Sequence, residues 1–166
     1  MSDKGKKIFL ALSIIVPFLV YCVYYYGHMF KNAPYKFTEF ESLTFKYGTV
    51  DSLVNVYDSK TGTYTYLNNH DSLVTKHVWL SEDDKLYLHR KAANLGFWDF
   101  PQHVQGPPSA DKSVPAYYIE YRYKRKSKSV YFDMGFDGDI RLRQAAKTLV
   151  DELEKTINDA ETRSGR

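Results

Sequence analysis

Leu53-Val54-Asn55-Val56-Tyr57-Asp58-Ser59-Lys60-Thr61-Gly62-Thr63-Tyr64-Thr65-Tyr66-Leu67 reads as two strands and the turn that joins them. Residues 53–57 and 63–67 are rich in β-branched and aromatic side chains, and the segment between them holds Asp, Ser and Gly. Such a pair predicts a β-hairpin and therefore antiparallel pairing. Outward from it, Asn68-Asn69-His70-Asp71 is a second turn, and Leu73–Leu80 continues as a further strand. On the N-terminal side, Ser42–Tyr47 is a strand, with Gly48 and Asp51 as punctuation.

Helical periodicity begins at Ser81. Ser81 with Asp84 three residues on approximates a capping box, and Glu82, Asp83 and Asp84 crowd the first turn, where the helix dipole favours negative charge. Leu88, Ala92 and Leu95 form an apolar stripe, and Gly96 supplies the stop. After a Pro/Gly/Ser-rich loop reaching Pro115, Ala116–Tyr123 and Ser129–Met134 form a second hairpin around Lys124-Arg125-Lys126-Ser127-Lys128. Asp137-Gly138-Asp139 is a turn and an N-cap for a helix from Ile140 to Ala160, striped by Leu142, Ala146, Leu149, Leu153 and Ile157. The expected domain is α+β over residues 35–160: an antiparallel sheet of five to six strands with two helices packed on one face, and a flexible tail at 161–166.

One transmembrane helix precedes that domain. Ile8–Tyr26 holds no charge. At ~1.5 Å per residue it spans roughly 28 Å, close to the thickness of a bilayer's hydrocarbon core. Lysines in the flank 1–7 and tyrosines at the far end predict a cytoplasmic N-terminus and an extracytoplasmic domain, joined by a linker over 27–34. A cleaved signal peptide needs small residues at its cleavage site, and Val20–Tyr25 offers none. Cys22 fits a lipobox only together with Leu19, since the bulky Tyr21 stands where that motif takes a small residue. An uncleaved anchor is therefore preferred over a lipidated Cys22.

Net charge is +3, and all of it lies in the anchor region: Lys4, Lys6, Lys7 and Lys31 stand against Asp3, so the rest of the chain is neutral. A domain that bound phosphate backbones would itself be basic, so no nucleic-acid partner is expected. The aromatic share of 16%, with fifteen tyrosines, is too high for a disordered chain. Cys22 is the single cysteine, so the domain holds neither a disulfide nor a cysteine-based zinc site. The absence of any Asn-x-Ser/Thr sequon favours a bacterial envelope, with the domain in the periplasm, over a eukaryotic secretory route.

No catalytic, cofactor-binding or metal site is expected. His28, His70, His77, His89 and His103 include no i, i+4 pair. Asp133, Asp137 and Asp139 around two glycines fall short of a calcium loop, which needs evenly alternating ligands and a distal Glu. No serine sits in a nucleophile motif, and there is no Gly-rich phosphate loop. Two surface constellations remain. Phe97, Trp98 and Phe100 form a partner contact if exposed and close the core if buried. Arg122, Lys124, Arg125, Lys126 and Lys128 are a candidate lipid contact, set against a solvated hairpin tip beside a tyrosine-rich strand.

The layout of hairpin, helix ending at Leu95-Gly96-Phe97-Trp98, hairpin and helix, over Leu53–Ile157, resembles small bacterial membrane-anchored envelope domains of unknown function. The resemblance implies no activity and no site residues. The functional expectation is a non-enzymatic protein-interaction module of assembly or immunity type, with an unidentified protein partner and attachment to the membrane through residues 8–26. The alternative is a small-ligand-binding or enzymatic domain, which requires Glu120, Asp133, His77 or Arg122 to converge in one pocket.

Overall fold

Nothing in the N-terminal segment stops a helix at the edges of its uncharged core, and the helix runs past both. A computed structural model describes residues 3–31, 35–107 and 113–164, and the chain divides into two units, Met1–Tyr35 and Lys36–Arg166. In the first, helix α1 spans Asp3–Lys31. It takes in most of the flank expected at 1–7 and continues through the first part of the linker expected at 27–34, of which 32–34 lies outside the described residues. Gly27 is disfavoured in a helix by only ~1 kcal/mol relative to Ala, too little to end one alone. Within α1, Lys7–Tyr26 is long and apolar enough to cross a membrane, a property shared by anchors and signal sequences. Pro17 sits inside the helix.

The second unit is α+β. Its strands are β1 (Phe40–Thr49), β2 (Ser52–Asp58), β3 (Thr63–Leu67), β4 (Leu73–His77), β5 (His103–Val104), β6 (Pro115–Tyr123) and β7 (Ser127–Asp133). Helix α2 (Glu82–Asn94) lies between β4 and β5, and α3 (Ile140–Ser164) follows β7. All seven strands form one sheet in the order β4-β3-β2-β1-β6-β7-β5. The expectation of five to six antiparallel strands is thus corrected to seven in a mixed sheet, because β5 pairs parallel to β7. Two residues in a Pro/Gly/Ser-rich loop carry no periodicity, so β5 has no signature in sequence.

Turn chemistry sets the registers. Asp58 Oδ1 accepts from Lys60 N–H at 2.7 Å, and Gly62 adopts φ +64° to bring Thr63 opposite Asp58. Asn68 Oδ1 accepts from the N–H groups of His70 and Ser72, closing β3 on β4. At the β1–β2 turn, a Cβ on Gly48 would lie 2.2 Å from Ser52 O, so only glycine fits the register shift there. The strand expected over Leu73–Leu80 ends at His77. Val78 donates to Gly62 O, and Val78 and Leu80 are buried, so the chain leaves the sheet edge to enter the core.

Alternation sorts the sheet into two faces. Phe45 of β1 opposes Tyr57 of β2 and Ile119 of β6, and all three are buried. Both helices pack on this face. Tyr121 Oη donates to Leu88 O of α2, and Phe45 and Tyr64 line a cavity with Ile157 of α3. The Ser81–Asp84 capping box is present, and Gly96 takes φ +76° just past α2. Asp139 Oδ1 accepts from Arg141 and Leu142 N–H, which makes it the N-cap of α3. Instead of fraying at 161, α3 continues to Ser164: Ala160 is buried, and Arg163 pairs with Asp84 of the capping box.

Candidate functional site

The Gly96 turn sends the chain directly into a 3₁₀ turn at Phe97–Asp99. Phe97 is 0% exposed and Phe100 is buried, so these rings close the core rather than face a partner, and Trp98 alone of the trio is only partly buried. Trp98 lies edge-on to Tyr121 at 5.3 Å and to Tyr123 at 5.9 Å. Beside it, His89 of α2 is 9% exposed, and its Nδ1 lies 2.7 Å from Tyr123 Oη. Burial, and after it the charge of Arg90, holds the His89 imidazole below the usual histidine range.

The five cations of the second hairpin do not form one patch. Arg122 belongs to the face without helices and donates to Glu120 Oε1 at 2.9 Å. Lys128 stands opposite Tyr121 on the helix-covered face and donates to Phe100 O. Arg125 grips Glu39 with both Nε and a terminal nitrogen, while Lys124 is exposed and Lys126 is half-buried. Alternation along a strand, invisible in the composition of the run, divides the charge between two faces.

Nor do Glu120, Asp133, His77 and Arg122 converge. Asp133 is buried and accepts from Gly106 N–H at 3.0 Å, which ties down the loop after β5. His77 lies on β4, the far edge strand, four strand spacings from β6; at ~4.8 Å each that is roughly 19 Å. Among the described residues no group of three His, Cys, Asp or Glu side chains is placed to hold a metal ion.

Two places that were not singled out from the sequence have organised polar chemistry. The first is the sheet face opposite the helices, which no helix of the Lys36–Arg166 unit covers. On it Lys46 Nζ lies 5.6 Å from the centroid of the Tyr118 ring, and Tyr118 Oη donates to Glu120 Oε2 at 3.2 Å. Tyr131 is the cross-strand neighbour of Tyr118 and lies 6.4 Å from the His103 ring. Partial burial raises both tyrosine hydroxyls above their usual range.

The second is a cavity of about 150 Å³ between α3 and strands β1 and β3, lined by Phe45, Tyr47, Tyr64, Glu154, Ile157 and Asn158. The Tyr47 and Tyr64 hydroxyls hydrogen-bond to each other. Burial is the first cause that raises both hydroxyls above the usual phenol range, so both are protonated at neutral pH. The Glu154 carboxyl is also raised, first by burial and then by Asp151, with Lys147 opposing. In sequence this site is scattered over more than a hundred positions, and its one local trace is the i, i+4 pair Glu154/Asn158 beside the apolar stripe. A comparable cavity of about 160 Å³ between α2 and α3 has two of its three lining carboxylates engaged, Asp84 by Arg163 and Glu152 by Lys91, and Asp159 is the third. No protein-family model matches the chain, and no curated protein matches it significantly.

Proposed function

We propose that the chain is a membrane-anchored, non-enzymatic recognition module. In this reading Lys7–Tyr26 of α1 is an uncleaved anchor, the N-terminus is cytoplasmic, and the folded unit stands on the extracytoplasmic side, facing the periplasm of a bacterium. The lysines ahead of the span and the tyrosines at its end support that orientation. The partner is a protein that docks on the uncovered sheet face. One observation carries the reading: this face combines tyrosines with an arginine and charges of both signs, Lys46, Tyr118, Glu120, Arg122 and Tyr131, on a rigid hydrogen-bonded frame. Tyr and Arg are the side chains enriched at protein interfaces, and mixed charge suits a partner of complementary pattern better than a polyanion.

The test is site-specific photocrosslinking of the full chain in its native membrane. A photoreactive side chain at Thr44 or Ser129, both on the uncovered face, gives an adduct of one defined size. The same group at Thr148, on the outer side of α3, gives none. Adducts from all three positions alike, or from none, overturn the assignment of the face. An alkaline phosphatase fusion after Arg166 reads the orientation separately, and is active only if the C-terminus lies outside the cytoplasm.

A further inference from the structure

Three glutamates of α3 lie beside tyrosines, and two of them hold a lysine. Glu152 accepts from Lys91 Nζ at 2.8 Å and from Tyr87 Oη at 2.8 Å, and the same ammonium lies 5.4 Å from the centre of the Tyr87 ring. Glu161 pairs with Lys76, whose ammonium lies 5.3 Å from the centre of the Tyr66 ring. Each is one carboxylate, one tyrosine and one primary ammonium, an arrangement that joins ion pairing to attraction by the ring face. Glu154 repeats the first two parts with Tyr47 and Tyr64 at the cavity and lacks the third. Among the described residues its carboxylate accepts no hydrogen bond and forms no ion pair, and Lys147, the cation that favours its ionisation, is paired with Asp151 at 3.0 Å.

We propose that this cavity binds a primary alkylammonium group. The other groups around Glu154 suit that ligand. Tyr47 and Tyr64 share one hydrogen bond, so lone pairs on their oxygens remain for a donor. Asn158, exposed at the rim, adds an amide oxygen. An ammonium brings three N–H donors, which match the carboxylate, a phenol oxygen and the amide oxygen. The methylenes behind it lie against Phe45 and Ile157, which supply the apolar wall. A cavity of ~150 Å³ takes a benzene-sized guest, so a short alkyl stem of the length found in a lysine side chain fills it. A quaternary ammonium has no donor and leaves Glu154 unsatisfied, and an anion is repelled. The ammonium comes either from a free small amine or from a lysine side chain of another protein. This assignment does not depend on what docks at the uncovered sheet face.

The probe is n-butylammonium chloride, titrated into the full chain in detergent micelles with its glutamate carboxyl carbons labelled for NMR. The Glu154 carboxyl resonance shifts saturably at millimolar amine, while those of Glu152 and Glu161 stay in place. Amine binding also draws the Glu154 carboxyl back down toward the usual carboxylate range, because a cation stabilises its charged form. Binding read from the Tyr64 ring weakens tenfold or more in Glu154→Gln, the loss expected for a charge-assisted bond. Tyr64→Phe, followed through the Glu154 resonance, weakens it less and guards against a folding defect in the first variant. Nα-acetyl-lysine N-methylamide separates the sources: binding as tight as butylammonium points to a protein lysine, and exclusion of it points to a free amine. The proposal falls if n-butanol or tetramethylammonium binds equally well, if no saturable shift appears, or if Glu154→Gln binds undiminished.

Discussion

Leu153→Ala tests the seam between α3 and the sheet, on which both the core and the amine cavity depend. Leu153 is 0% exposed, and its helical neighbours Leu149 and Ile157 are buried with it. The substitution removes three carbons, and at ~0.8 kcal/mol for each buried methylene the transfer loss alone is about 2.4 kcal/mol. The void then adds to this unless the surroundings collapse into it, which sets the range for Leu→Ala at ~2–5 kcal/mol. Collapse is resisted here, because the opposing wall is a sheet hydrogen-bonded across seven strands. The loss therefore falls near ~3–4 kcal/mol, a large part of the ~5–15 kcal/mol that holds a domain of this size together. At about 3–5 °C per kcal/mol this lowers the melting midpoint by roughly 9–20 °C. The assay is thermal melting of the full chain in mild detergent, followed by near-ultraviolet circular dichroism. That signal reports fixed aromatic packing, and its tryptophan bands report the folded unit alone, because Trp79 and Trp98 both lie in it. Thr148→Ala, on the exposed side of the same helix, serves as control and stays within about 0.5 kcal/mol of wild type. A Leu153→Ala loss below about 1 kcal/mol, with helix content retained, would refute a tightly docked α3.

Acid should weaken the folded unit through His89. Its folded-state affinity for a proton is depressed by burial, so the unfolded chain protonates first as pH falls. The stability it contributes is complete above the ordinary histidine pKa of ~6.5 and declines as pH drops through that value. His89→Phe should flatten the stability–pH profile between about pH 7.5 and 5.5, and a profile as steep as wild type would rule His89 out as the cause. The hairpin cations should separate in the same melts. Lys124→Ser, at an exposed position, changes stability by less than about 0.5 kcal/mol, whereas Lys128→Ser loses the bond to Phe100 O and costs about 1–2 kcal/mol. Equal effects would mean that Lys128 does not brace the Phe97–Phe100 turn.

Local rules carried the reading of the sequence a long way because much of this chain is locally specified. The Asp58–Gly62 turn, the Ser81–Asp84 box, Gly96 after α2 and Asp139 before α3 each satisfy backbone groups within a few residues, and each appears where those rules put it. The uncharged run 8–26 likewise needs only its own length and composition to read as a helix long and apolar enough to cross a membrane. What depended on partners distant in the chain could not be seen. The pairing of β1 with β6 brings Thr44 against Glu120 and makes the two hairpins one sheet. Parallel β5 exists because Tyr131 N–H reaches Gln102 O, a contact without local pattern. The basic run looked like one patch until strand alternation split Arg122 from Lys128. The three glutamates of α3 are alike in sequence; only the packed structure gives Glu152 and Glu161 a lysine and leaves Glu154 facing a cavity, because ionic partnership is decided by which strands and helices meet.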